Sequence, residues 1–490
     1  MISFSLSLVL LLLGYFVYGR LVEHIFGVNS KRETPAIAHP DGVDFIPMKP
    51  WRIFLIQFLN IAGLGPIFGA IMGARFGTAS FLWIVLGSIF GGAVHDYLSG
   101  MISLRRNGAS LPELHGEHLG YGTRQFMRIF MTILMILVGV VFVDGPANIL
   151  ADLTPEFFSA IFWVVIIMIY YVIATLFPID KIIGKIYPLF GICLLFMAIG
   201  ILGYLIFNHP AVPEFWDGLG NKQNDPESAP IFPMMFVSIA CGAVSGFHAT
   251  QSPLMARCMV NEKQGRPIFY GAMITEGIVA LIWAAAASVF FFSGDYDAQV
   301  AEYGSSAPKI IKFLTETWLG RIGSILALLG VVFAPITSGD TALRSARLIV
   351  ADFLHIDQKP ITKRLVVAVP IFIITALVLV WSLKNKESFN TIWNYFAWCN
   401  QVLAAFTLWT ITIYLVKESK YKWAFIVSMI PAIFMTSVCS TFMLLATPKQ
   451  GGFNFIEMSH SIGYASGVLI TLLTIIFFFR WRTRYLNANK

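Results

Sequence analysis

The sequence predicts an all-α polytopic membrane protein of about thirteen transmembrane helices, ten of them arranged as a five-plus-five inverted repeat. Three observations carry this: a composition poor in charge, thirteen apolar runs long enough to span a bilayer, and a one-sided distribution of Lys and Arg among the loops.

Of 490 residues, 57% are hydrophobic and 12% charged, and the mean hydropathy is +0.74. A soluble globular chain carries about 25% charged residues. This composition excludes a disordered chain, a collagen, a nucleic-acid module and a soluble enzyme. The net charge of +7 follows from the excess of basic residues in the cytoplasmic loops of membrane proteins and does not call for nucleic acid. Cys193, Cys241, Cys258, Cys399 and Cys439 have neither CxxC nor CxxxC spacing, so neither a disulfide framework nor a zinc ribbon is expected. No cofactor or metal is called for, and no GxxxxGK[ST] motif is present to bind a nucleotide.

A membrane helix needs about 20 apolar residues. Such runs lie at about 2–19, 51–73, 79–104, 126–150, 157–177, 182–207, 231–250, 268–293, 321–340, 364–383, 391–416, 423–447 and 459–480. The first run, with no basic residue ahead of it, reads as a retained helix rather than a signal peptide. Of 34 Lys and Arg residues, only Arg75, Lys222, Lys309, Lys312, Arg321, Lys384, Lys386 and Lys449 fall to even-numbered loops. The other 26 fall to the odd-numbered loops and the C-terminal tail. That split places the odd loops and the C-terminus in the cytoplasm and the N-terminus outside. The chain divides into residues 1–50 (an N-terminal helix and cytoplasmic loop), a core at 51–416, and two helices with a short basic tail at 417–490.

Two runs carry helix breakers at membrane depth. In the second, Gln57-Phe-Leu-Asn60-Ile-Ala-Gly63-Leu-Gly65-Pro66-Ile-Phe-Gly69 interrupts the helix. In the seventh, Ala240-Cys-Gly242-Ala-Val-Ser245-Gly246-Phe-His248-Ala-Thr-Gln251-Ser-Pro253 does so. Close packing explains part of the first, because Gly65, Gly69, Gly73 and Gly77 recur every four residues. Position explains more. The two runs are five apart and enter the membrane from opposite sides, so residues 51–207 and 231–416 read as inverted repeats. Paired broken helices in two such halves mark a transporter's binding site.

Ionisable side chains inside a bilayer cost about 2.5–3.5 kcal/mol on insertion scales and face cavities or partners. His95, Asp96, Asp144, His248, Glu276 and Asp340 are the candidates, with Gln57, Asn60, Asn148, Asn394, Asn400 and Gln401 as neutral polar groups at depth. Glu276 sits too deep to snorkel. His95 and Asp96 point about 100° apart on a helix and need not bond each other; either is a proton carrier, or Asp96 pairs with an Arg of the next loop. Asp340, at the inner end of its run, reads equally as a cap of a cytoplasmic turn against Arg344 or Arg347. Asp144 precedes Gly145-Pro146, where a helix break accounts for it as well as substrate contact does. His115-Gly-Glu117-His118, between Pro112 and Gly120, reads as a solvated loop with a faint look of metal ligands.

Several of these segments together resemble the carbon starvation protein A family. They are Ala36-Ile-Ala-His39-Pro-Asp41-Gly42-Val-Asp44-Phe45-Ile-Pro47, Asn60 to Gly69, and Gly91-Gly-Ala-Val-His95-Asp96 with Arg105-Arg106-Asn107-Gly108-Ala-Ser110-Leu. Ala240 to His248, Asp340-Thr-Ala-Leu-Arg344-Ser-Ala-Arg347-Leu-Ile-Val-Ala-Asp352 and Asn400-Gln401 complete the set. The resemblance runs from about residue 36 to 416. It departs at His95, where better-known members carry Gln, and at Gln57 to Asn60, where a His-rich stretch is more usual; the chain is also shorter than the larger members. The resemblance implies a bacterial inner-membrane secondary transporter with a LeuT-like inverted repeat, linked to peptide uptake in carbon starvation or, in a close branch, to proton-coupled pyruvate import.

The leading expectation is a proton- or sodium-coupled importer of short peptides or a small organic acid. Gln57, Asn60, Gly63, Gly65, Ser245, His248, Gln251, Asn400 and Gln401 would form the substrate site, and His95, Asp96, Glu276 and Asp340 are the ion-coupling candidates. A membrane nutrient sensor and a membrane-embedded hydrolase are the other classes. The first lacks room for a signalling module and the second a nucleophile with its base. No catalytic residue or nucleic-acid partner is expected, and the sequence sets no oligomeric state.

Overall fold

Leu, Ile, Val and Phe fill the apolar runs, and in lipid every backbone N–H and C=O of such a run must be satisfied within the segment, so the runs become helices. The computed structural model describes residues 1–176, 183–294, 298, 301, 307–384, 386–456 and 458–489, and among these there is no strand. The first half comprises α1 (Ile2–Phe26), α2 (Pro50–Ile61), α3 (Gly65–Ala74), α4 (Ala79–Arg105), α5 (Leu111–Leu119), α6 (Tyr121–Leu153), α7 (Ala160–Leu176) and α8 (Ile183–Asn208). The second comprises α9 (231–238), α10 (His248–Ala256), α11 (Glu262–Phe292), α12 (Ala307–Leu354), α13 (Ile361–Lys384), α14 (Lys386–Glu418), α15 (Ile426–Leu445) and α16 (His460–Ala488).

Among the described residues, ten helices are long and apolar enough to cross a membrane, or eleven if α2 and α3, bent by 52°, are one span. The fifth run forms α7, a shorter apolar helix of 17 residues, and the seventh is divided between α9 and α10 around a turn at 239–247. Lys181 and Lys490, assigned to the basic side from sequence, lie outside the described residues, as do the side chains of Lys185, Lys384 and Lys386.

The bundle is layered by exposure. α2, α3, α10 and α11 are central, with Ile56, Ile67, Ala249, Leu281 and Trp283 buried. α7, α8, α13 and α16 form the rim, exposing Ile161, Ile192, Ile199, Val366, Leu377 and Phe477 on faces whose natural solvent is lipid. α12 packs along α6 and α8, and α15 joins α14 to α16.

The broken runs lie against each other with almost no side chain between them. A Cβ at Gly65 would stand 2.2 Å from Cys241 Cβ, one at Gly69 2.8 Å from the Ser238 carbonyl oxygen, and one at Gly73 2.2 Å from Ile239 Cγ1. The four-residue glycine spacing is therefore a packing stripe, and its partner is the break in the seventh run.

At one end of the bundle the basic loops knit together. Arg105 donates to both carboxylate oxygens of Glu262 at 3.0 Å, Arg266 pairs with Glu23 at 2.8 Å, and Arg106 pairs with Glu117 and Glu418. The segment 34–48 folds under this end. An Asx turn organises it, with Asp41 Oδ1 accepting from the Val43, Asp44 and Phe45 N–H groups. Met48 N–H donates to Cys258 O at 3.1 Å, Arg257 lies over the Phe45 ring, and Arg344 reaches Asp44 at 3.6 Å.

Two expectations are corrected here. Asp340 does not cap a turn: α12 continues to Leu354, leaving Asp340 in mid-helix. The His115 segment is helix α5, with Pro112 in its first turn and Gly120 as its C-cap. His115 is fully buried and sits 3.5 Å from Thr407 Oγ1, His118 is edge-on to Tyr414, and Glu117 faces Arg106. Among the described residues no group of three His, Cys, Asp or Glu side chains is arranged to hold a metal ion.

Candidate functional site

α10 begins at His248, directly after the turn that breaks the seventh run, so the imidazole enters the bundle where backbone is non-helical. His248 Nδ1 meets Asp96 Oδ2 from α4 at 2.9 Å. Its Nε2 lies 3.2 Å from Glu276 Oε2 of α11, within ion-pair range but off hydrogen-bond alignment, since Glu276 makes no hydrogen bond. Asp96 Oδ1 meets His95 Nδ1 at 2.8 Å. All four side chains are fully buried. The alternative that Asp96 pairs with a loop Arg gives way here: its partners are two imidazoles, and side-chain torsions close the 100° gap to His95, a bond the helix geometry did not require. The result is a continuous chain, His95–Asp96–His248–Glu276, in which His248 stands between two carboxylates as a proton acceptor or donor and His95 ends the chain on Asp96.

A second polar cluster surrounds the break in the second run. The Tyr187 hydroxyl lies within hydrogen-bond distance of Asn60 Oδ1 (2.9 Å), Thr337 O (3.0 Å) and Asp340 Oδ1 (3.2 Å). Tyr170 donates to Asp340 Oδ2 at 2.6 Å. Thr337 Oγ1 and Ser338 Oγ approach the Leu59 carbonyl oxygen, an acceptor freed where the helix ends. Gly63 is needed for this approach, because a Cβ there would stand 2.9 Å from Ser338 Oγ. Asp340 therefore belongs with Asn60 rather than with the His248 chain.

Asn400 staples the break in the seventh run. Its Oδ1 accepts from Phe247 N–H at 2.6 Å and Ser245 Oγ at 3.2 Å, and Gly246 N–H donates to its backbone oxygen. Gln401 Nε2 donates to Val244 O at 2.9 Å. These groups hold unwound backbone in shape. By contrast Gln57 is buried with neither amide atom partnered, and Asn60 Nδ2, Gln251 Oε1 and Gln401 Oε1 are also without partners. Buried polar atoms left unpaired in this way cost about 1–3 kcal/mol each, and they surround the two breaks.

A cavity of about 980 Å³ opens from the end opposite the basic loops and is lined by Phe68, Asp144, Asn148, Ser382 and Trp393 among others. Phe68 and Trp393 line it 5.6 Å apart. Trp393 meets Phe396 edge-on, and Phe142 meets both Phe396 and Phe247 edge-on, so a string of aromatic rings runs from the cavity wall to Phe247 in the unwound turn.

Sequence reasoning missed Tyr170, Tyr187, Thr337 and Ser338. Thr337 and Ser338 precede Asp340 by three and two residues, a spacing that puts oxygens on adjoining faces of one turn. The tyrosines carry no signal in apolar runs already rich in aromatics.

The family model described as carbon starvation protein CstA matches residues 1–217, 154–315 and 298–442. A Haemophilus influenzae protein described as an uncharacterized membrane protein is 44% identical over 340 residues, 59% of this chain and 91% of its own length. The peptide transporter CstA of Helicobacter pylori (strain 26695) is 25% identical over 575 residues, covering 91% of this chain and 82% of the relative. The pyruvate/proton symporter BtsT of Escherichia coli is 28% identical over 333 residues, 55% of this chain and 46% of the relative. Among solved structures, an Eremococcus coleocola manganese transporter superposes with a TM-score of 0.58 at 13% identity, covering 92% of this chain and 99% of its own. MhsT in complex with L-phenylalanine superposes with a TM-score of 0.50 at 14% identity, covering 88% and 98%. At these identities the structures show the fold alone, and both are LeuT-fold transporters.

Proposed function

Because the chain belongs to the carbon starvation protein CstA family, we propose that it is a proton-coupled secondary transporter importing short peptides across the bacterial inner membrane. The observation that carries the coupling is the buried chain Asp96–His248–Glu276, set at the break of the seventh run with no Lys or Arg side chain in ion-pair range among the described residues. His248 shares its two nitrogens between two carboxylates, so one proton added or removed changes the charge of an unscreened site. That change is felt by the α10 N-terminus and the unwound backbone Asn400 holds.

The rest of the arrangement fits alternating access. With the basic loops cytoplasmic and the C-terminus inside, the 980 Å³ cavity faces outward and the 34–48 segment closes the inner side. Thirteen spans with repeats at 51–207 and 231–416 place the two broken helices at equivalent positions. Gln57, Asn60, Gln251 and Gln401 offer the unpaired amide groups a peptide backbone would satisfy. The relatives named peptide transporters support a peptide; the pyruvate/proton symporter supports a small carboxylate as the second reading.

The test is uptake by proteoliposomes offered labelled dialanine or labelled pyruvate, with and without an inward proton gradient, for wild type and Glu276→Gln. The expected result is dialanine accumulation that needs the gradient in wild type and loses gradient dependence in Glu276→Gln. Pyruvate uptake alone would move the chain to the second reading. Gradient-driven uptake unchanged in Glu276→Gln would remove Glu276 from the coupling path.

A further inference from the structure

Asp144 lies on α6 in the wall of the large cavity, and it is only 2% exposed. Its Oδ1 accepts from Asn148 Nδ2 at 2.7 Å and its Oδ2 from Ser382 Oγ at 2.6 Å. Both donors are neutral, and among the described residues Asp144 forms no ion pair with a Lys, Arg or His side chain. A carboxylate withdrawn from water with neutral donors alone is poorly compensated and calls for a cation. Asn148 and Ser382 aim its oxygens without supplying that charge.

The surroundings say which kind of cation. Phe68, Phe389 and Trp393 line the same cavity, and aromatic faces attract an organic ammonium. A hard metal ion takes about six oxygen ligands, whereas Phe68, Phe389 and Trp393 in the same cavity offer it none. The cavity volume of about 980 Å³ is that of a site for a small organic molecule, roughly 300–1,000 Å³, and far exceeds one ion. Lys309 and Lys449, both exposed, line the same cavity together with Arg75 and Asp152, so the basic side chains supply positive charge for an anionic end.

We propose that Asp144 binds the α-ammonium group of a short peptide in the outer cavity, making a zwitterion with a free amino terminus the preferred substrate. This rests on the peptide reading above and deepens it: a substrate without an ammonium group, pyruvate included, would bring a second negative charge beside an unneutralised carboxylate.

The experiment is competition against labelled dialanine uptake by proteoliposomes of the full chain. Unlabelled dialanine, N-acetyl-dialanine and lactoyl-alanine, in which a hydroxyl replaces the amine, are the competitors. In wild type, dialanine competes at least about tenfold better than either analogue, the size of one lost charge-assisted contact. In Asp144→Asn the three compete within about twofold of one another. Should that variant not fold, Ser382→Ala, which removes only a hydroxyl that orients the carboxylate, narrows the preference at least about threefold. Equal competition in wild type, or an undiminished preference in a folded Asp144→Asn or in Ser382→Ala, overturns the role of Asp144 and leaves peptide transport standing. No dialanine uptake in wild type overturns both.

Discussion

Gly246→Ala measures how tightly the unwound turn of the seventh run is held against α14. A Cβ at Gly246 would stand 2.4 Å from both the Asn400 carbonyl oxygen and the Ala404 nitrogen, and 2.7 Å from Leu403 Cβ. Two of those three atoms are backbone, so no side-chain rotation relieves the clash, and the turn and α14 must part by roughly 1 Å. Overpacking of this kind costs about 1–3 kcal/mol. The separation also strains the Phe247 N–H to Asn400 Oδ1 and Gln401 Nε2 to Val244 O hydrogen bonds, each worth about 1 kcal/mol. The total, about 3–5 kcal/mol, is of the order of 3–5 °C in melting temperature for a chain of this length. The assay is a fluorescence-monitored melt of purified protein in detergent, paired with dialanine uptake. Gly203→Ala is the control, because nothing lies within 4 Å of its added methyl and its helix should be unharmed or slightly firmer. A Gly246→Ala protein melting within 1 °C of wild type with full uptake would refute the account of the break as a backbone-to-backbone joint.

Three further outcomes follow from other parts of the structure. Tyr187→Phe removes the hydroxyl shared by Asn60, Thr337 and Asp340 and should destabilise by about 1–3 kcal/mol; an unchanged melt in detergent would show that cluster to be slack. Asp44→Asn should loosen the 34–48 segment from Arg344 and expose the buried Cys258 whose backbone oxygen holds Met48. Maleimide labelling of Cys258, with the other four cysteines replaced, should then quicken about tenfold for each 1.4 kcal/mol released, and equal rates would discount the segment as a gate. Burial, with His95 and His118 nearby, lowers the His115 pKa to about 3, so the folded protein holds it neutral. Unfolded chain takes the proton first as pH falls through about 6.5, so stability present above that pH is lost on acidification, about 2 kcal/mol by pH 5. His115→Leu should shrink the difference in melting temperature between pH 7.5 and pH 5, and an identical difference would refute the burial argument.

What could be read from the sequence was whatever depends on local composition. The helix breaks were legible because Gly63, Gly65 and Pro66, and likewise Gly242, Gly246 and Pro253, cluster within single apolar runs, whereas isolated prolines such as Pro146 and Pro335 are carried inside continuous helices. Glu276 stood out because its depth forbids snorkelling. The bond between His95 and Asp96 was not legible: helical periodicity fixes where Cβ points, while torsions beyond it decide what the ring reaches. The end of the ninth run was misplaced because Asp340, Arg344 and Arg347 look like surface, whereas all three are buried against elements distant in sequence. Pro112 and Gly120 looked like loop punctuation, yet Pro in the first turn and Gly just past the end equally mark a short helix. Tyr187 acquires meaning only from partners more than 100 residues away, and of Asp144's two partners Asn148 is one helical turn off while Ser382 lies some 240 residues away.

The segment at 34–48 also sets an order of assembly. It leaves the ribosome before almost everything it touches, since Cys258 and Arg344 lie more than 200 residues downstream. At about 5–20 residues per second, Asp44 waits roughly 15–60 s for Arg344 to be made. The part of the protein that seals its basic end is therefore synthesised early and seated late, and until then its docking surface stands open to whatever insertion machinery attends the growing chain.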